Sequence, residues 1–236
     1  MATAGLLHVI PQVLDHLEIP VPTHADLVGF SQGAHATMAL ADHLSATTPA
    51  PFEIRTVIGI AGPYVLSEVD LPALVAGTSD PMVRSLALTR LTLAAELTGA
   101  TVDDMYAQAW HSRIHELFDG SRTDMQVVTS LPEDPRGLFT DSGWLALSDP
   151  TSEFGQWAAR ASAVCDGWGT GMTVTLMHAD GDTSALPRNT ELCADRLTSS
   201  GALVTTVSLG DLEHIPSGER GIDAAAEMLS NLDQHS

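Results

Sequence analysis

The sequence predicts an α/β protein, a mostly parallel sheet flanked by helices and interrupted by a helical insertion. Three observations carry that prediction. Short apolar runs alternate with helix-like segments over residues 1–63. The same alternation resumes over residues 166–236. Between them, residues 64–165 show helix signals without strand–helix alternation. Alternation of this kind is the mark of βαβ units, and the interruption reads as a cap or lid set into one core.

The elements follow in order. Residues 5–19 place Leu6, Ile10, Val13, Leu14 and Leu17 on one helical face. Pro11 implies a kink or a late start, and Pro20 and Pro22 end the helix. Residues 25–30 form a short apolar run, as a buried parallel strand requires. A helix is predicted over 32–44, with Ala34, Met38, Ala41 and Leu44 at helical spacing. The Val- and Ile-rich stretch 54–61 is a second strand, closed by Gly62-Pro63.

In the insertion, Asp80-Pro81 has the form of an N-cap followed by proline at the first helical position. Thr101 and Asp104 suggest a capping box opening one helix that carries Met105, Ala109, Leu117 and Phe118 and stops at Gly120. Residues 130–150, with Pro132, Pro135 and Pro150, read as loop, and a short helix follows around Phe154, Trp157 and Ala161. Leu86, Leu91, Leu93 and Phe118 are either the insertion's own core or the lining of an apolar pocket. Beyond it, strands are predicted at 172–177 and 202–209, and helices at 189–198 and 221–232.

Composition narrows the function classes. The formal net charge is −20, and all 10 basic residues are Arg. A chain this acidic is repelled by phosphate backbones and anionic membrane surfaces, which argues against nucleic acid as a partner. No segment approaches the ~20 apolar residues of a transmembrane helix. The first residues have no basic region and no long apolar stretch, so this N-terminus does not read as a signal peptide. Cys165 and Cys193 either form one disulfide or remain buried thiols, and neither has metal-ligand spacing. His111 and His115 stand four apart on a predicted helix; without an HExxH pattern they read as a solvated face rather than a metal pair.

The most informative motif is Gly29-Phe30-Ser31-Gln32-Gly33, a GxSxG between a predicted strand and a predicted helix. In that setting the serine sits on a tight, strained turn with Oγ exposed, and side chains at Gly29 or Gly33 are expected to collide with neighbouring backbone. The following helix aims its N-terminal N–H groups at the site, which favours a developing oxyanion. A serine nucleophile needs a base, and the base needs an orienting acid. Asp182 and Asp180 both lie in the loop after the 172–177 strand; Asp182 is the preferred acid, and Asp180 is its competitor. His214, in Gly210-Asp-Leu-Glu-His214 after the last strand, is the candidate base.

Taken together, GFSQG, HADGD with Pro187 and Asn189 beyond it, GDLEH, and the segment Cys165-Asp-Gly-Trp168 resemble the secretory lipase and esterase group of α/β-hydrolases. The resemblance runs from about residue 5 through nearly the whole chain. It implies an α/β-hydrolase fold with a helical lid, and hydrolysis of carboxylic esters, often with lipid-like acyl chains. It also implies Ser31, Asp182 and His214 as triad, the Gln32 N–H as an oxyanion donor, no metal or organic cofactor, and secretion. The loop from Asp182 to Pro187 is one residue longer than the Asp-x-x-Val-Pro of that group, which keeps Asp180 in play. Only 30 residues precede Ser31. The strands that such hydrolases place ahead of the nucleophile, and the HG-type loop giving a second oxyanion donor, are therefore expected to be missing. The fold is expected to be N-terminally reduced, with an open sheet edge that invites self-association. Loss of one oxyanion donor costs about 2.7–4 kcal/mol of transition-state stabilisation. The second functional class is accordingly a catalytically impaired, hydrolase-like binding module.

Overall fold

The computed structural model describes residues 2–46, 52–78 and 81–234. The chain divides into two compact units, Met1–Val65 with Ala163–Ser236, and Leu66–Ser162.

The first unit is built on four parallel strands in sequential order: β1 (His24–Phe30), β2 (Glu53–Ile60), β3 (Thr173–His178) and β4 (Leu203–Ser208). Helices α1 (Ala2–His16), α2 (Gln32–Ala46), α9 (Arg188–Ser199) and α10 (His214–Asp233) accompany them. Residues 56–60 of β2 are buried without alternation, as expected when helices cover both faces of a parallel sheet. A Cβ at Gly59 would meet Met38 of α2, whereas the neighbouring Ile60 lies against Gly221 of α10. Successive strand residues point to opposite faces, so α2 and α10 lie on opposite sides of the sheet. Ala34, Met38, Ala41 and Leu44 of α2 are all buried, as their spacing predicts. On the α10 side, Ile58, Ile60, Met177, Leu209 and Ala225 form a core cluster joined by Phe30 and Met228. Arg55 ties β2 to β1 through Asp26, with Nε to Oδ1 at 2.9 Å, and to the end of α10 through Asp233 at 2.7 Å.

Two sequence expectations for this unit need correction. α1 starts ahead of Pro11 and continues past it, but its inward side is Ala4, Leu7, Ile10, Pro11 and Leu14; Leu6, Val13 and Leu17 are exposed. The apolar residues cover more than one stripe of the helix, so periodicity alone chose the wrong phase. The last helix starts at His214 rather than 221, because Pro216 fits the first turn, where its missing N–H has no intrahelical partner anyway.

Cys165 and Cys193 form a disulfide with a Cα–Cα distance of 5.3 Å, tying the segment before β3 to α9.

The second unit is helical: α3 (Leu71–Ala76), α4 (Pro81–Leu97), α5 (His111–Leu117), α6 (Asp124–Val128), α7 (Asp141–Ala146) and α8 (Glu153–Ala161). Its core includes Leu88, Ile114, Leu138, Leu147 and Phe154. Leu86, Leu91, Leu93 and Phe118 pack against that core. Tyr106 is buried against the Thr92 hydroxyl, and burial pushes its phenol up to about 12. Asp80 lies outside the described residues, so only Pro81 of the expected cap is seen, at the start of α4.

The single helix expected after Thr101 is broken in two. A short 3-10 turn, Asp103–Met105, precedes α5. Thr101 caps nothing there; its N–H donates to the Glu153 carboxylate at 2.7 Å. The capping box of the unit is instead Thr123 with Gln126, opening α6. Residues 130–150, read as loop, contain a 3-10 turn at Pro135–Leu138 and α7. Asp134 and Thr140 cap these two turns through side-chain oxygens, a local chemistry that the prolines obscured. No helix among the described residues is long and apolar enough to cross a membrane.

Candidate active site

The carboxyl ends of the four strands bring the sequence-predicted residues together, the usual location of sites in open parallel sheets. The β1–β2 ladder continues one residue beyond β1, with Ser31 N–H donating to the Ile60 carbonyl at 2.9 Å. The chain then turns directly into α2. Ser31 sits at φ 55°, the left-handed region that a residue with a Cβ rarely adopts. Its carbonyl accepts from the N–H of Ala34 at 2.9 Å, which locks the turn into the helix. Backbone strain of this kind costs on the order of 1–3 kcal/mol and persists only where the surroundings enforce it.

The two motif glycines differ. A methyl at Gly29 would press into the Gly33 carbonyl and come within 2.5 Å of Thr37 Oγ1. A methyl at Gly33 would meet nothing within 4 Å. The collision expected at both positions therefore exists only at Gly29, because strand and helix backbones converge there. Gln32 is the first residue of α2. Its N–H belongs to the group of helix-start donors without an intrahelical acceptor, at the positive end of the helix dipole.

His214 is the first residue of α10, after Glu213 in extended conformation. Its Nε2 lies 2.8 Å from Ser31 Oγ, and its Nδ1 lies 2.7 Å from Asp182 Oδ2. An ionised carboxylate only accepts, so the Nδ1 proton faces Asp182 and Nε2 is left to accept from the Ser31 hydroxyl. The Asp182 carboxylate is buried, and its burial is offset by donors. Besides the imidazole, the N–H groups of Ser184 and Ala185 donate to Oδ1 at 2.8 and 2.9 Å. The His214 carbonyl accepts from Ser217 Oγ at 2.6 Å.

Asp180, the competing acid, is elsewhere engaged. It accepts from Ser208 Oγ at 3.0 Å and faces His178 Nε2 at 3.4 Å, with its side chain largely exposed. The geometry brings Asp182 and not Asp180 onto His214. Sequence reading overlooked Phe30, whose ring lies against the His214 imidazole with centroids 4.9 Å apart. It occupies one of the motif's two variable positions, where the motif itself places no demand on residue type.

In the helical unit, His111 and His115 do not act as a pair. His111 Nε2 lies 2.9 Å from the Tyr106 carbonyl oxygen. His115 instead joins Glu96 and Asp103, with candidate ligand atoms all within 4.8 Å. These three residues could hold a cation, although Asp103 and His115 are exposed. A cavity of about 350 Å³ in the same unit is lined by Leu71, Pro72, Leu147 and Ala158 among others. None of Ser31, Asp182 and His214 lines it.

No protein-family model matches the chain, and no curated protein sequence does. Solved structures do match. A Legionella pneumophila protein described provisionally as a hydrolase superposes with a TM-score of 0.84 at 17% identity, covering 95% of this chain and 60% of that one. The rice cell wall degrading esterase LipA from Xanthomonas oryzae matches with a TM-score of 0.75 at 22% identity, covering 85% of this chain and 55% of that one. Candida antarctica lipase A in its closed state matches with a TM-score of 0.61 at 16% identity, covering 87% and 47%. This chain thus spans between 47% and 60% of the length of these three neighbours. The likeness gives it an α/β-hydrolase-like fold.

Proposed function

We propose that this chain carries the nucleophile, base and acid of a serine hydrolase acting on carboxylic esters. One observation carries the reading: a continuous hydrogen-bonded chain from Ser31 through His214 to the buried Asp182, starting at a serine held at positive φ on a strand-to-helix turn. The three residues come from sites 183 and 32 positions apart along the chain. A chance surface histidine has no reason to meet both partners through its two nitrogens.

The chemistry follows from the geometry. Ser31 Oγ attacks the ester carbonyl while its proton passes to His214 Nε2. The oxygen of the tetrahedral intermediate takes up negative charge beside the N-terminus of α2, where the Gln32 N–H donates to it. Collapse breaks the bond to the alcohol, which leaves with the proton from Nε2. Water then attacks the acyl-Ser31 ester, its proton moving to Nε2 and on to Ser31 Oγ as the acid departs. Asp182 fixes the tautomer and balances the imidazolium formed in each half-reaction. The chain's own residues call for no metal or organic cofactor in this sequence of steps. The lipase and esterase neighbours support ester substrates over other acyl compounds.

The test is covalent labelling. A fluorophosphonate probe should add to intact protein in one equivalent, and peptide mapping should find it on Ser31. Labelling elsewhere, or none in folded protein, would contradict the assignment and favour the binding-module class.

A further inference from the structure

The geometry points to Phe30 and Gly218 as positioning residues for His214, acting mainly after the acyl-enzyme has formed; this rests on the proposed hydrolase reading. Two hydrogen bonds hold the imidazole, one at each nitrogen. Such bonds fix where the two nitrogens lie. The Cβ–Cγ bond tethers the third corner of the ring to α10, so loss of either hydrogen bond leaves the imidazole to swing about its own side-chain torsions. Phe30 packs against the imidazole and opposes such a swing, with ring centroids 4.9 Å apart and planes 32° apart.

Phe30 is itself held by the same helix. Gly218 lies one helical turn beyond His214 on α10, so both are on the same side of the helix. A Cβ built on Gly218 would come to 2.6, 2.7 and 2.8 Å from Cζ, Cε2 and Cε1 of Phe30. The phenyl ring therefore rests directly on helix backbone, at a distance that only glycine permits. Gly218 is buried, and within the same turn the buried Ser217 donates to the His214 carbonyl. Imidazole and phenyl ring are thereby referenced to the same helical turn.

The consequence differs between the two half-reactions. Before acylation, Ser31 Oγ and Asp182 both restrain the imidazole. Once Ser31 is acylated, its Oγ has no proton to donate, and the Nε2 hydrogen bond is lost. Of these hydrogen bonds only the one to Asp182 remains, and packing against Phe30 then takes a larger share in holding the ring. Deacylation, in which Nε2 takes a proton from water, depends on Phe30 more than acylation does.

The experiment is pre-steady-state hydrolysis of a p-nitrophenyl ester by the chain and by Phe30→Ala, Phe30→Tyr and Gly218→Ala. Misplacement of a catalytic group costs on the order of 10- to 100-fold. Phe30→Ala should lose that much in kcat and less in kcat/KM, which reports acylation. It should also show a burst of p-nitrophenol equal to the enzyme concentration and an acyl-enzyme mass. Phe30→Tyr keeps the ring and should behave as the unsubstituted chain. Gly218→Ala displaces the ring and should resemble Phe30→Ala, adding little when the two are combined. A general loss of structure would lower both half-reactions together. If Phe30→Ala is too unstable to assay, Phe30→Leu takes its place with the same expectation. The proposal is overturned by unchanged kcat, by equal losses in kcat and kcat/KM without a burst, or by a Phe30→Tyr variant as impaired as Phe30→Ala. Turnover that depends on Ser31 but not on Phe30 removes this inference alone. Absence of Ser31-dependent turnover removes the proposed function, and this inference with it.

Discussion

Asp182→Asn isolates what the acid contributes, because the structure dictates how the amide must sit. Oδ1 of Asp182 accepts from two backbone N–H groups, those of Ser184 and Ala185. In the variant, the amide oxygen takes that position, since an NH2 group there would face two donors. The NH2 then points at His214 Nδ1, which must accept rather than donate. That tautomer carries its proton on Nε2, facing the Ser31 hydroxyl with no lone pair to receive its proton. Wrong-tautomer variants of this kind in serine hydrolases lose about 10⁴-fold in kcat, equivalent to about 5.4 kcal/mol. Asp180→Asn should cost far less, because Asp180 bonds to Ser208 and faces His178 rather than His214. Steady-state ester hydrolysis by the two variants, with circular dichroism to verify folding, measures the difference. A folded Asp182→Asn enzyme within tenfold of the parent, or a larger loss in Asp180→Asn, would refute the tautomer reasoning.

Three further outcomes are expected. The disulfide closes a loop with a sequence separation of 28, for which chain entropy gives about 3–4 kcal/mol; Cys165→Ser with Cys193→Ser should lose stability of that order in urea denaturation, and an unchanged midpoint would contradict it. Gly29→Ala should destabilise by more than the about 1–3 kcal/mol typical of overpacking, since the obstacle is backbone. Gly33→Ala should be neutral or gain up to about 1 kcal/mol from helix propensity, and thermal melts of the pair that match each other would count against the turn geometry. In the helical unit, hydrogen bonds from Ser121 lower the Asp119 pKa and those from Thr151 lower the Asp149 pKa, both from 3.8, while the Thr101 N–H lowers that of Glu153 from 4.5. Carboxylates lowered in the folded state stabilise it above their unfolded values. That contribution should fade as pH falls from about 4.5 through the lower folded values. The melting temperature of Asp119→Asn/Asp149→Asn/Glu153→Gln should then depend less on acid pH than the parent's, and identical slopes would exclude the effect.

The sheet was legible because its strands are short, apolar and β-branched, and because the central pair, β2 and β3, is buried over most of its length; β1 and β4 are less buried than their apolar runs suggest. Ser31, Asp182 and His214 stood out through order and context: each follows a strand, and the serine is flanked by glycines. What stayed hidden depends on tertiary neighbours. The phase of α1 is set by which stripe meets its neighbours, α2 among them, and its sequence offers several. Thr101 has the letters of a cap, yet its N–H is taken by Glu153, 52 residues away. Gly33 shares a motif with Gly29, and only the crossing of β1 and α2 backbones distinguishes them. Phe30 gains its meaning from Gly218, a glycine inside a helix whose purpose appears only when the phenyl ring is seen against it. The short turns of the helical unit are capped by Asp134 and Thr140, which a proline-rich stretch disguises as loop.

The central claim is that Ser31 is a nucleophile toward esters. Hydrolysis of short- and long-chain p-nitrophenyl esters by the purified chain, beside Ser31→Ala, tests it most directly. Turnover above buffer that disappears in Ser31→Ala is the predicted result, and its chain-length dependence would begin to define the substrate. Equal rates in the two folded proteins would contradict the claim, whatever the hydrogen bonds around Ser31 suggest.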